Sequence, residues 1–183
     1  MNPSSTSPAR MRSQAWRIAG WSAAALLLLV PLVAMQFTPE VRWSAGDFLV
    51  FGLMLAGVGA GLELAARQTA DLQYRLAAGV ALLSAFLVVW ANLAVGIVGE
   101  PSHLANGMFF GVLAIGLLGS VLGRGQAPAM AANLLVMASL QALVGLVVVA
   151  AELDTAGLVA SVVLSLLWLL SALLFRRAAR AQA

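Results

Sequence analysis

The residues with the clearest chemical potential are Glu100, His103 and Asn106, which lie close together between two apolar stretches. A carboxylate beside an imidazole can act as general acid and base, or the two can bind a metal ion. Two ligands are too few for a closed metal site, so we predict no metal. The alternative, which we favour, is a polar loop in which Pro101 makes the turn and Asn106 caps the next helix.

Glu63 is an acidic residue near the end of another apolar stretch, with Arg67 four positions further along the chain. This is the spacing of an ion pair within one helix. Because acids are costly inside a membrane, Glu63 is also a candidate ligand-binding carboxylate. We favour the anchoring pair with Arg67, which places both charges near the lipid headgroups.

Three amide side chains, those of Asn92, Asn133 and Gln141, lie within apolar stretches. On a helix, Asn92 shares a face with Ala85 and Gly96, so we expect it to face protein. A buried amide needs a hydrogen-bond partner. The three amides are therefore candidate ligand contacts, and the alternative is a set of structural contacts between helices. For Asn133 and Gln141, which share one face, we favour structural contacts.

Several kinds of chemistry are excluded by what the sequence lacks. It has no cysteine, which excludes disulfides, thiolate metal sites and iron–sulfur clusters. His103 is the single histidine, so one copy of the chain cannot hold a haem between two histidines. We find no phosphate loop, nucleophile elbow or ion-selectivity filter. We predict no cofactor and no catalytic residue, and we favour a protein that is not an enzyme.

The composition is that of a membrane protein. Of 183 residues, 62% are hydrophobic and only 9% are charged, whereas a typical soluble domain has roughly 25% charged residues. All the basic residues are arginines, and they lie at the ends of apolar runs. We therefore interpret the net charge of +3 as a topology signal in a lipid bilayer and not as a nucleic-acid surface.

Six apolar runs have about the length of ~20 residues that a helix needs to cross a bilayer. The sequence thus predicts an all-α, polytopic transmembrane helix bundle formed by residues 15–177. The predicted spans are residues 16–35, 48–66, 76–98, 104–122, 129–150 and 158–175. We expect residues 1–14 to be a disordered cytoplasmic tail and residues 178–183 to be a second cytoplasmic tail.

The distribution of charge predicts the orientation. Nine of the ten arginines fall on one side of a six-span topology, with Arg42 on the other side. The positive-inside rule then places both termini in the cytoplasm. The first run could instead be a cleaved signal peptide, but it is longer than a typical signal and we expect it to be retained. Tyr74 lies near a predicted interface, where aromatic rings anchor helices.

Small residues at helical spacing predict close contacts between helices. The second run has Gly52 and Gly59 on one face, and the fourth run has Gly107, Gly111 and Gly119 on a ladder of every fourth residue. Such residues let helix backbones approach each other in lipid. We favour packing within the bundle, and the alternative is homo-oligomerisation through the fourth helix.

The stretch Trp90-Ala-Asn-Leu-Ala-Val-Gly-Ile97 resembles a group of six-span bacterial inner-membrane proteins. The resemblance implies a helical fold in the bacterial inner membrane and no known activity. We therefore expect a non-enzymatic helix-packing module, either a homo-oligomer or an accessory subunit of a larger membrane complex. The alternative is a small-solute transporter or a membrane-embedded substrate-binding subunit of unknown ligand. In size and topology only, the chain resembles the binding components of vitamin uptake systems.

Overall fold

The computed structural model describes the backbone of residues 8–181 and the side chains of residues 17–181. Within residues 8–181 the chain forms six helices and no strand, which confirms the all-α prediction. The helices are α1 (Pro8–Phe37), α2 (Ala45–Gln68), α3 (Leu72–Ala94), α4 (Asn106–Leu122), α5 (Ala127–Ala150) and α6 (Thr155–Ala181). Helix α1 begins within the predicted N-terminal tail, and residues 1–7 and 182–183 lie outside the described residues.

Five of these helices are long and apolar enough to cross a membrane, as in a multi-pass membrane protein. The exception is α4, which is apolar but has only 17 residues. At 1.5 Å per residue, α4 is about 25 Å long, against about 30 Å for the hydrocarbon core of a bilayer. The predicted fourth span began at residue 104, but the first two of its residues belong to the preceding turn.

Residues 1–63 form one compact unit that contains α1 and most of α2. Helix α2 begins at Ala45, three residues before the predicted span, because Ser44 and Asp47 form a reciprocal cap. The Asp47 carboxylate accepts from the Ser44 backbone N–H at 2.7 Å, and the Ser44 hydroxyl accepts from the Asp47 N–H at 3.3 Å. Further along α2, Gly59 lies under the ring of Trp21 in α1, so that a Cβ there would approach the ring to 3.1 Å.

Residues 64–183 form the second compact unit, in which α6 packs against both α3 and α5, and α4 packs against α5. A hydrogen bond ties α6 to α3, because the hydroxyl of Ser171 donates to the carbonyl of Ala77 at 2.7 Å. The core of this unit consists of apolar side chains from all four helices. Its largest fully buried members include Val88, Phe109, Leu134, Trp168 and Phe175.

Helix α3 is shifted by four residues from its predicted bounds at both ends. It begins at Leu72 because the Asp71 carboxylate accepts from the Gln73 N–H at 2.8 Å and caps the helix. It ends at Ala94 because the chain then turns through Gly96 at φ +78° and Gly99 at φ +60°. A Cβ on Gly96 would lie 2.6 Å from the backbone of the following loop, so only glycine fits there.

Candidate functional site

Asn106 holds the loop between α3 and α4 and does not cap α4. Its Oδ1 accepts from the backbone N–H groups of Ile97 at 3.1 Å and Val98 at 2.9 Å. Its Nδ2 donates to the carbonyls of Val98 at 3.2 Å and Glu100 at 2.8 Å. The prediction of an Asn106 cap is therefore wrong, because Asn106 is the first residue of α4 and its buried side chain turns back to the loop.

Glu100 and His103, the titratable partners in this predicted cluster, are both exposed. The Nδ1 atom of His103 accepts from the Ala105 backbone N–H at 3.2 Å, which fixes the ring within its own turn. Among the residues that the structure describes, no group of three His, Cys, Asp or Glu side chains comes together to hold a metal ion. The structure therefore brings Asn106 into the protein and leaves the other two side chains at the surface.

The loop held by Asn106 also contacts the connection between α5 and α6. The Asp154 carboxylate accepts from the Ala156 N–H at 3.0 Å and from the Gly99 N–H at 3.4 Å. A Cβ on Gly157 would lie 2.6 Å from a methyl group of Val98, so the two segments touch closely. Asp154 and Gly157 are structural neighbours of the loop that the sequence pattern did not identify.

Asn133 lies at the contact between α4 and α5. Its Nδ2 donates to the carbonyl of Gly116 at 2.8 Å and to the hydroxyl of Ser120 at 3.2 Å. The Ser120 hydroxyl in turn donates to the Gly116 carbonyl at 2.8 Å. These bonds are the kind of interhelical contact that we favoured for Asn133 from the sequence.

Asn92 and Gln141 are buried, and among the described residues only the nitrogen of each side-chain amide has a hydrogen-bond partner. The Asn92 Nδ2 donates to the Val88 carbonyl of its own helix at 2.8 Å, and the Gln141 Nε2 lies 3.5 Å from the Ser161 hydroxyl of α6. Within the described part of the chain, neither amide oxygen has a hydrogen-bond partner, and neither has the buried indole N–H of Trp168. Burying these polar atoms without a partner costs free energy, because they lose their hydrogen bonds to water.

The glycine ladder of α4 divides between two opposite faces. A Cβ on Gly119 would collide with the side chain of Asn133, and one on Gly123 would lie 2.9 Å from the Cβ of Ala129, so both face α5. A Cβ on Gly107 or Gly111 would meet no described heavy atom within 4 Å. The division follows from helix geometry, because each step of four residues rotates by about 40° around the axis.

Gly116 is another close contact of α4 with α5, and the ladder of every fourth residue missed it. A Cβ there would collide with the thioether of Met137. The signal that could have found Gly116 is its position seven residues before Gly123, which places both on one face of a helix.

Glu63 forms an ion pair with Arg17, with 2.6 Å between the carboxylate and the guanidinium. Its side chain is 18% exposed, against 60% for Arg17. The pair joins α1 to α2 near the predicted membrane surface. The partner shown at short distance comes from another helix, which the i, i+4 spacing to Arg67 did not reveal, and the anchoring pair with Arg67 stays a prediction.

Tyr74 joins three parts of the second unit, a role that exceeds the interfacial anchor we predicted. Its hydroxyl contacts both the Gln68 side chain and, at 2.6 Å, the carbonyl of Gly125. Its ring packs edge-on against Phe175 in α6, with 4.9 Å between ring centroids. The Tyr74 hydroxyl has one proton, so the Gln68 amide oxygen and the Gly125 carbonyl are two acceptors for the same donor.

The fold defines the chain as an all-helical, multi-pass membrane protein. Comparison with protein-family models, curated proteins and solved structures gives no match. The resemblance carried by the Trp90–Ile97 stretch therefore stays a prediction.

Proposed function

We propose that this chain is a non-enzymatic helix-packing protein of the bacterial inner membrane that forms a homodimer through the outward face of α4. The observation that carries the proposal is the open surface over Gly107 and Gly111. Glycines at this spacing let two helix backbones approach each other in lipid. In the same helix Gly116 and Gly119 are already used by α5, so only the outward pair is available to a second copy.

The side chains beside these glycines make a surface that can pair with itself. Leu118 and Leu122 lie on the outward face of α4 and are exposed to 63% and 81%, and Leu104 in the preceding turn is exposed to 93%. The face carries no charge from residue 104 to residue 122. A two-fold interface sets the same patch against itself, so an uncharged surface with a shallow glycine groove and leucine ridges is suited to it.

The short length of α4 gives a second, independent reason for a dimer. Its apolar length of about 25 Å falls about 5 Å short of the hydrocarbon core. A bilayer must thin around a helix that is too short, and association of two such helices lowers that cost. The short helix and the open glycines therefore point to the same surface.

The proposed orientation and location rest on the arginines. Nine of the ten arginines lie near the starts of α1 and α3 and the ends of α2, α4 and α6, whereas the loops around Glu100 and Glu152 carry acids. The positive-inside rule favours a cytoplasmic location for the basic ends and hence for both termini. With this orientation, the Asn106 loop faces the periplasm.

The test is the oligomeric state of Gly111→Leu in mild detergent, measured by native mass spectrometry. We expect dimer for the wild type and monomer for Gly111→Leu, because a leucine side chain separates the two α4 backbones. Gly57→Leu is the matched control, since Gly57 in α2 also has no described atom within 4 Å of a built Cβ. A dimer that survives Gly111→Leu, or that is lost in Gly57→Leu alone, would overturn the proposal.

The second candidate function is binding of a small polar solute between α3, α5 and α6. The observation that favours it is the pair of buried amide oxygens of Asn92 and Gln141 that lack partners in the described chain. The same mass spectra distinguish the candidates. A wild-type chain that retains a defined small-molecule mass, lost in Gln141→Leu, would favour solute binding, whereas a dimer of bare chain mass favours the packing role.

A further inference from the structure

One end of the unit formed by residues 64–183 is strongly basic. The end of α2, the start of α3, the turn between α4 and α5 and the end of α6 meet there around Tyr74. The charged residues of these segments are Arg67, Arg75, Arg124, Arg176, Arg177 and Arg180, with Asp71 as the acid. These segments therefore carry six arginines against one acid.

Two of these arginines are brought together by the contacts of Tyr74. Arg124 precedes Gly125, whose carbonyl accepts from the Tyr74 hydroxyl, and Arg176 follows Phe175, which packs on the Tyr74 ring. The contacts of Tyr74 thus link the turn that carries Arg124 to the end of α6 that carries Arg176. By contrast, the Arg75 guanidinium is occupied, since it donates to the carbonyls of Thr69 and Ala66 at 2.9 Å each.

The backbone of Arg124 has a conformation that a side chain rarely adopts. Its φ is +48°, in the left-handed region, where a helix usually ends with glycine or asparagine. Arginine there carries a backbone cost, although glycine stands on both sides of it. Glu152, which follows α5, has a similar φ of +51°, so the case for Arg124 rests on its exposed guanidinium together with this backbone cost.

The end of α6 extends beyond the apolar core. Its 27 residues span about 40 Å, which exceeds the ~30 Å core by about two turns. Arg176, Arg177 and Arg180 lie in those last turns and are exposed. Among residues 17–181, no side chain forms a hydrogen bond or ion pair with these three guanidinium groups or with that of Arg124.

We propose that Arg124 and Arg176, with Arg177 and Arg180 beside them, bind the phosphate of an anionic phospholipid headgroup. Guanidinium groups bind phosphate oxygens through paired hydrogen bonds. Four guanidinium groups at the depth of the headgroups carry a net positive charge, since Asp71 is the one acid of the surrounding segments. This charge complements an anionic lipid and not a zwitterionic one. The Tyr74 contacts set the spacing between Arg124 and Arg176, so the site depends on the packing of the helix ends.

The test measures retention of phosphatidylglycerol and of phosphatidylcholine on the full chain by native mass spectrometry. We expect wild type to retain phosphatidylglycerol selectively. Arg124→Asn and Arg176→Gln should each reduce its retention about five-fold, because each arginine near an anionic surface contributes about that factor. Arg42→Gln is the matched control with the same loss of charge, and it should leave retention unchanged.

Arg124→Asn also separates binding from a structural role. Asparagine tolerates the left-handed conformation, so the lipid-free variant should melt at or above the wild-type temperature while it loses lipid. A variant that loses stability together with lipid would assign Arg124 to the turn and overturn the proposal. Equal loss of lipid in Arg42→Gln, or full displacement of the lipid by inorganic phosphate alone, would also overturn it.

Discussion

The two ends of α4 are held in the unit by different kinds of contact. At the end near the acidic loops, the buried amide of Asn106 makes four hydrogen bonds to the preceding loop, and the neighbouring Gly107 is open. At the other end, Gly116 and Gly119 press against side chains of α5, and Asn133 adds a hydrogen bond from that helix. One end is thus fixed by polar contacts and the other by close approach.

This difference shows that the role of a glycine in a membrane helix depends on which face of the helix it occupies. The same residue type serves internal packing at Gly119 and leaves an open surface at Gly111, two turns earlier. Because Asn106 already fixes its own end of α4, the glycines near that end are not needed for the fold. They are available for an external partner, and substitutions can test the distinction.

The largest effect is expected for Gly116→Leu. The new side chain would occupy the space of the Met137 thioether and push α4 away from α5, which also removes the Asn133 hydrogen bond. Overpacking together with the loss of the Asn133 hydrogen bond should lower the free energy of unfolding by about 3 kcal/mol. Unfolding in mixed micelles by titration with a denaturing detergent measures the change. A loss no greater than that in Gly57→Leu would remove the basis for the inward–outward distinction.

An intermediate effect is expected for Asn106→Ala. The substitution leaves the backbone N–H groups of Ile97 and Val98 buried without their acceptor, which costs about 2 kcal/mol. Hydrogen exchange of these two amides should become faster, while amides in α5 stay protected. Asn106→Asp keeps the acceptor oxygen and should retain more of the protection. Unchanged exchange in the alanine variant would contradict the polar anchoring of this end.

The smallest changes in the free energy of unfolding are expected for alanine substitutions in α4. They should have opposite signs on the face that packs against α5 and on the outward face. Gly119→Ala displaces the Asn133 side chain and should destabilise the monomer by about 1 kcal/mol. Gly111→Ala meets open space and should stabilise it by about 0.5 kcal/mol, because alanine has the higher helix propensity. Detergent-unfolding curves at low protein concentration compare the two. Combining Gly119→Ala with Asn133→Ala should add little further loss, since both remove one contact.

The sequence predicted the helices well and their contacts less well. The apolar runs located all six helices, because a helix that crosses a bilayer needs a long stretch of apolar residues, which is visible in the sequence. The end of α3 was misplaced by four residues because the turn at Gly96 depends on Asn106, which lies beyond the loop. The predicted cap by Asn106 failed for the same reason. Local capping rules cannot anticipate an amide that turns back to an earlier segment.

The candidate site was only partly predictable. Asn133 was identified as a contact between helices, but its acceptor in α4 depends on a register between two helices that the sequence does not specify. Tyr74 was recognised as an aromatic near an interface, whereas two of its partners, Gly125 and Phe175, come from distant segments. Arg124 had no sequence signal of its own, because a left-handed backbone at an arginine becomes visible only in three dimensions.

The hydrogen bond from Ser171 to the Ala77 carbonyl joins residues that are 94 positions apart. During synthesis the N-terminal part of a chain folds first, so α3 enters the membrane long before its partner helix leaves the ribosome. Until then the face of α3 around Ala77 must be shielded by lipid or by the insertion machinery. Assembly of this unit therefore waits for α6, and chains truncated before α6 should be substrates for membrane quality control.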